Sequence, residues 1–220
     1  MNRKVSETKI FRNMMEDYFK SHGFIKIDKN LYVKHVNDEV RASISLNSAT
    51  KVPGLLWFGV SVANASAEEY GISSLKKYGD SLYQSTGNFR SNFSHLSISL
   101  VDAVGWANRG GIYLPEVGHL EALTMLDRGL RAYFFPLLSE VTTCRSLLQL
   151  QWRDEYPYEW YKTNAALRIA NIAYLSHRTG EAASENMERA AKYESELLRC
   201  RLLVDPHAYI QLVFDGASAA

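Results

Sequence analysis

The sequence predicts an α+β fold, with an antiparallel sheet first and helices after it, and two observations carry that prediction. From Phe24 to Val62 apolar residues recur with period two, the spacing of strands whose side chains alternate between two faces. After Glu116 they recur at three and four residues, the spacing of helices with one apolar stripe. The 220 residues are 46% hydrophobic and 22% charged, enough apolar material for a real core and too much for a disordered chain.

The first element is a helix. Ile10, Phe11, Met14, Met15, Tyr18 and Phe19 form one stripe at period 3.6. Ser6 is the expected N-cap, with Lys9 where a capping box would want Glu. Gly23 is the expected C′ residue, and Phe24 after it can pack back on the last turn.

Strands follow. Phe24 to Ile27 leads through Asp28-Lys29-Asn30, residues suited to a short turn, into Leu31 to Val36. Beyond Asn37-Asp38-Glu39, Val40, Ala42, Ile44 and Leu46 alternate with Arg41, Ser43, Ser45 and Asn47, the pattern of a strand with one wet face. Pro53-Gly54 marks a connection, and Leu55 to Val62 is apolar enough to be a central strand. This is a meander of about four strands with the first helix packed on one face.

The middle is less periodic. Glu68 to Tyr83 reads as a short helix interrupted by Gly71 and Gly79, Phe93 to Val101 as a strand, and Ile112-Tyr113-Leu114 as a short strand before Pro115. Pro115 suits the first turn of a helix whose apolar face runs from Leu120 to Phe134, and Pro136 should end or kink it. Leu137–Leu150 and Thr163–His177 read as further helices, the second stopped at Thr179-Gly180. Glu181–Leu203 reads as a partner helix broken by Pro206, Tyr209–Phe214 as a last apolar run, and Asp215 onward as a loose tail. These elements divide into residues 1–114, helix plus sheet, and 115–220, helical, with a soft boundary in Ile112–Pro115.

Charge and cysteine content narrow the function. With 25 basic against 24 acidic residues the net charge is +1, so electrostatic steering toward nucleic acid or an anionic membrane is not expected. The first residues lack the apolar stretch of a secretory signal, and runs such as Tyr133–Leu138 are too short to span a bilayer. Cys144 and Cys200 form no C-x-x-C pair and no disulfide framework; two buried structural thiols in a reducing, cytoplasmic setting are the expectation.

The order from helix to Gly23-Phe24, then a hairpin ending in Leu31-Tyr32-Val33, then the strand Leu55–Val62 and a late helix with Pro136-Leu137-Leu138, resembles a family of uncharacterised bacterial α+β domains. The resemblance covers roughly the first two thirds of the chain and implies a fold, with no catalytic residues to carry over. By analogy it implies an antitoxin-like immunity partner. A second resemblance lies in Asn164–His177 and Glu181–Arg199, joined at Gly180, which look like one tetratricopeptide-type hairpin. Small Ala165, Ala166, Ala170 and Ala173 would pack against Ala190-Ala191. There is no second copy and no closing proline, so one hairpin capping the preceding helices is expected rather than a repeat array.

Catalytic patterns are absent from the sequence. There is no Walker A loop and no G-x-G-x-x-G after a strand. Gly59-Val60-Ser61-Val62-Ala63 is half of a nucleophile elbow and lies inside a strand. None of the six histidines forms H-x-H or H-x-x-x-H. His22 suits the C-terminus of the first helix, His35 and His95 lie in strand patterns, and His119 follows Glu116 at helical spacing. No catalytic residue, metal ligand or cofactor is therefore assigned.

One cluster stands out: Trp152, Arg153, Asp154, Glu155, Tyr156, Tyr158, Glu159, Trp160 and Tyr161, around Pro157. Its structural reading is a seam filled by aromatics where elements meet. Its functional reading is a protein-binding surface, because interfaces enrich Trp, Tyr and Arg, and the carboxylates suit a basic partner. Stacking on sugars or bases is disfavoured by the negative charge. A charged run on the last long segment, with Glu185 to Arg189 and Glu188 to Lys192 at i,i+4, reads as a solvated helix face. The expected function is a non-enzymatic bacterial protein-binding protein, most concretely an immunity-type inhibitor that occludes a toxin. One alternative is a small-ligand or enzymatic domain using the sheet face, with Arg41, His95, Asp102 and Arg109 as the polar residues there. Another is a homodimeric scaffold joined through the aromatic loop.

Overall fold

The computed structural model describes residues 7–48, 51–79, 96–99, 111–153 and 165–219. The fold is α+β, and the chain forms two compact units. The expected N-cap Ser6, most of Phe93–Val101, and Asp154–Tyr161 of the aromatic cluster lie outside the described residues, as do His95, Asp102 and Arg109.

The first unit comprises residues 1–36, 41–61 and 98–140. Its sheet is built from β1 (Ile25–Asp28), β2 (Leu31–His35), β3 (Arg41–Ser48), β4 (Leu55–Ala63), β5 (Leu96–Ser99) and β6 (Ile112–Tyr113). The order is β1-β2-β3-β4-β5, with β6 also on β4, so β4 is the central strand the sequence predicts. β1–β2, β2–β3 and β4–β6 are antiparallel, with Val33 opposite Ile25 and Ser43. Along β3 the buried residues are Ala42, Ile44 and Leu46, while Arg41, Ser43, Ser45 and Asn47 are half-buried, the alternation of a one-sided sheet. On that second face the hydroxyls of Ser43 and Ser61 hydrogen-bond to each other.

Helix α1 (Glu7–Ser21) covers the buried face. Phe11, Met15 and Phe19, spaced i, i+4, i+8, are 0% exposed, while Ile10 at the margin of the predicted stripe is 39% exposed. Phe11 meets Phe58 edge-on at 6.4 Å, and Phe19 lies 4.7 Å from Tyr32. Each such ring withdrawn from water stabilises the unit by roughly 1.5–3 kcal/mol. The end of α1 is a Schellman motif. Gly23, at φ 81°, donates its N–H to Lys20, and the Phe24 N–H reaches Phe19. Phe24 then packs on Phe19 at 6.3 Å, the backward contact that the sequence predicts.

The helical segment after β6 starts with α3 (Leu114–Val117), turns at Gly118 and continues as α4 (His119–Gly129). Pro136 neither ends nor breaks it. A wide π-turn, Leu130–Phe134, precedes α5 (Phe135–Glu140), and the Phe135 N–H reaches back five residues to Leu130. Widening the turn accommodates a proline ring that would otherwise clash with the carbonyl four residues earlier.

The second unit comprises residues 37–40, 62–97 and 141–220, and its described part is mainly helical. Its helices are α2 (Ala65–Tyr78), α6 (Cys144–Gln151), α7 (Ala165–Thr179), α8 (Ala183–Ala190), α9 (Glu194–Leu197) and α10 (Pro206–Ala217). The hub is α7, which packs on α2, α6, α8 and α10, and every residue from Ala165 to Ala173 is buried. Its alanines leave room for close neighbours, and Tyr209 of α10 donates its hydroxyl to the Ala166 carbonyl at 2.8 Å.

Several expected boundaries change. Gly71 does not interrupt α2: it is a contact point, where an added Cβ would stand 2.5 Å from Leu167 Cδ1. Leu137–Leu150 is two helices, because Thr143 caps the start of α6 through a capping box with Ser146. Glu181–Leu203 is α8, a 3₁₀ turn at Ala191–Tyr193, then α9 and a turn. Pro206 opens α10 behind its N-cap Asp205, and Asp215–Ala217 belong to that helix rather than to a tail. The helices from Leu114 to Glu140 group with the sheet, not with the later helices. Among the described residues no helix is long and apolar enough to cross a membrane.

Candidate functional site

The described part of the aromatic cluster is Trp152 and Arg153, and it sits at the end of α6 in the helical unit. Trp152 is the C-cap of that helix, its N–H bonded to the carbonyls of Gln149 and Leu150. The exposed carbonyls of a helix end carry partial negative charge. Arg168 of α7 answers it: its Nε donates to the Gln151 carbonyl at 2.8 Å, its Nη2 to the same oxygen, and Nη2 also lies 3.5 Å from the Arg153 carbonyl. Arg168 is 6% exposed, so a buried guanidinium fixes where Trp152 emerges.

Above Arg168 is Tyr193, 3% exposed, with the guanidinium carbon 4.6 Å from its ring centre. The Trp152 indole lies nearly parallel to that ring, 6.4 Å away at 16°. Two exposed cations complete the group. Arg189 stands 4.2 Å from the Trp152 ring, and Lys192 stands 5.7 Å from Trp152 and 4.7 Å from Tyr193. Guanidinium over indole is the most favourable cation–π pairing, worth about 0.5–1 kcal/mol at an exposed site. The Trp152 Nε1–H is buried and has no acceptor among the described residues. Trp152 is half-buried, with the exposed cations Arg189 and Lys192 over it.

The charged run is therefore not simply a solvated face, because Arg189 and Lys192 lean on the aromatic pair. The charge gathered around Trp152 is positive, whereas the sequence segment following it is acidic. Sequence reading missed Arg168 and Tyr193. The available signal was an arginine inside an otherwise apolar, alanine-rich helix, where an unpaired charge would be costly.

A second cluster occupies the sheet unit. Tyr18 donates its hydroxyl to Asp127 Oδ1 at 2.5 Å, and Arg131 Nε donates to both oxygens of that carboxylate at 2.9 and 2.8 Å. Burial, then the hydrogen bond to Asp127, pushes the Tyr18 phenol well above its ordinary range. Burial would raise Asp127 as well, but hydrogen bonds from Arg131 and Tyr18 outweigh it and the carboxyl is held low. His22 is flanked by the rings of Tyr18 at 4.4 Å and Phe135 at 4.9 Å, with Nδ1 2.9 Å from the Tyr18 carbonyl. That is the helix-end role expected for it. A phenol held neutral and a carboxylate held charged make a clamp rather than an acid–base pair.

Both cysteines are buried and free, as expected. Burial first, then the nearby Glu39, pushes the Cys144 thiol up to about 11. Glu39 accepts the Cys144 N–H at 2.9 Å, and the Asn64 side-chain amide reaches the sulfur at 3.5 Å. A thiol this reluctant to ionise is a poor nucleophile. Of the alternative sheet-face residues, Arg41 is half-buried on β3, while His95, Asp102 and Arg109 lie outside the described residues. No group of three or more His, Cys, Asp or Glu side chains suited to a metal ion occurs among the described residues. No family model, curated protein or solved structure matches the chain.

Proposed function

We propose that this chain is a protein-binding protein whose contact face is centred on Trp152. The observation that carries the reading is the fixed stack of Arg189, Trp152, Tyr193 and Arg168, with Arg189 and Lys192 exposed. Trp, Tyr and Arg dominate the energetics of protein interfaces, and a side chain already ordered before binding loses little rotamer freedom on contact. The exposed cations suit carboxylates on the partner. Within this class, the narrower form we propose is an inhibitor of the immunity type, occluding a toxin's working surface.

The test is affinity capture from the native host with tagged protein, followed by mass spectrometry and reconstitution of any stoichiometric partner. A partner lost on W152A/R189A double substitution, and retained on substitution at exposed Leu120, supports the reading. Recovery of the chain alone, or a partner indifferent to the double substitution, overturns it. A reconstituted complex that abolishes the partner's toxicity supports the inhibitor form; an unaffected activity removes that form and leaves binding.

A further inference from the structure

β1 ends the sheet. It pairs with β2 along one side, and no strand pairs with its other side among the described residues. All four of its residues are exposed, among them Ile25 at 67% and Ile27 at 62%. Edge strands are normally blunted by charge, shortness or a bulge. This one is short and bulged, since the pairing shifts between Lys26 and Asp28 and leaves Ile27 without an opposite residue on β2. It nonetheless presents two large β-branched side chains to water.

We propose that this edge pairs with the same edge of a second copy of the chain, antiparallel and centred on Ile27. The segment Lys26-Ile27-Asp28 is self-complementary in that register: Ile27 meets Ile27, and each Lys26 faces the other copy's Asp28. A one-residue slip sets a charged side chain, Lys26 or Asp28, against Ile27, and a two-residue slip sets Lys26 against Lys26 or Asp28 against Asp28, so charge selects the register. Lys26 is held by Glu16 at 2.6 Å, but Glu16 is also bound by Lys20 at 3.1 Å and keeps a cation when Lys26 turns outward. Asp28 uses one carboxylate oxygen, Oδ1, to accept the Lys29 N–H at 2.6 Å. Four residues per edge bury far less than the roughly 800 Å² per side of a standard interface, so the association is weak and concentration-dependent.

Sedimentation over a concentration series tests it, together with a cysteine probe. Because Cys144 and Cys200 are buried, Ile27→Cys introduces an exposed thiol on the edge itself. Mild oxidation is expected to link Ile27→Cys into disulfide dimers and to leave Leu120→Cys, at a 73% exposed position on α4, monomeric. Ile27→Lys abolishes the dimer, Lys26→Asp weakens it, and the swap Lys26→Asp with Asp28→Lys restores it. These positions are exposed, so folding is unaffected, and far-ultraviolet circular dichroism verifies this. A wild-type chain that stays monomeric throughout, a dimer that survives Ile27→Lys, or a charge swap that restores nothing overturns the proposal.

Discussion

The rings of Trp152 and Tyr193 are nearly parallel, inclined by 16° with their centres 6.4 Å apart, and each carries a cation over it. The two residues come from the end of α6 and from the 3₁₀ turn that follows α8.

Trp152 is half-buried, and its ring packing and its indole N–H separate by substitution. Trp152→Phe keeps an aromatic face for Arg189 and removes an indole N–H that has no acceptor among the described residues, so unfolding free energy changes by less than about 1 kcal/mol. Trp152→Ala removes the stack and costs about 2 kcal/mol, below the range for a fully buried tryptophan. Denaturant unfolding of the two variants measures the difference.

Asp127 makes the sheet unit sensitive to acid. Its carboxyl is held below the ordinary value in the folded state, so the stabilisation is complete above that ordinary value and is lost as pH falls through the folded one. Unfolding followed at successively lower pH should show this loss below about pH 4. Asp127→Asn flattens the slope, and Tyr18→Phe, which deletes the hydroxyl donor, costs roughly 1 kcal/mol at neutral pH.

Cys144 has the opposite sign at the alkaline end. Its folded thiol titrates at about 11 against an ordinary 9.0, so it contributes stability below pH 9.0 that is lost as pH rises toward 11. Cys144→Ala removes that alkaline decline. In a thiol-reagent assay near neutral pH the native chain reacts slowly, and both cysteines react at once on unfolding. Rapid labelling of the native chain would contradict the burial.

Gly71 lies where α2 meets α7. An added Cβ would stand 2.5 Å from Leu167 Cδ1 and 2.9 Å from Asn171 Oδ1, both on buried residues. Alanine ordinarily improves a helix by about 1 kcal/mol over glycine. Here overpacking prevails, and Gly71→Ala lowers stability by about 1–2 kcal/mol. Leu167→Ala destabilises alone but restores room, so the double variant is more stable than the sum of the single losses predicts. A thermal or denaturant double-mutant cycle reads that coupling.

Much of the fold is legible in local sequence. The α1 stripe, the Gly23-Phe24 cap and the buried alternation of Ala42, Ile44 and Leu46 depend on residues a few positions apart. Helix ends were less legible: the capping box of Thr143 and Ser146 and the 3₁₀ turn at Ala191–Tyr193 interrupt apolar patterns that continue through them. Periodicity reports which face is apolar and is insensitive to a single broken turn.

What the sequence determined by itself is the α+β class, the meander, the first helix with its cap and the burial of both thiols, because spacing and side-chain chemistry specify these locally. What only the tertiary structure decided is the company each residue keeps. Trp152 meets Arg189, Lys192 and Tyr193, and Tyr193 in turn meets Arg168, residues contributed by three later segments of the chain. The hydrogen bond from Tyr18 to Asp127 spans 109 positions, and no local pattern specifies it. Such contacts depend on how helices pack, and packing is a property of the folded whole.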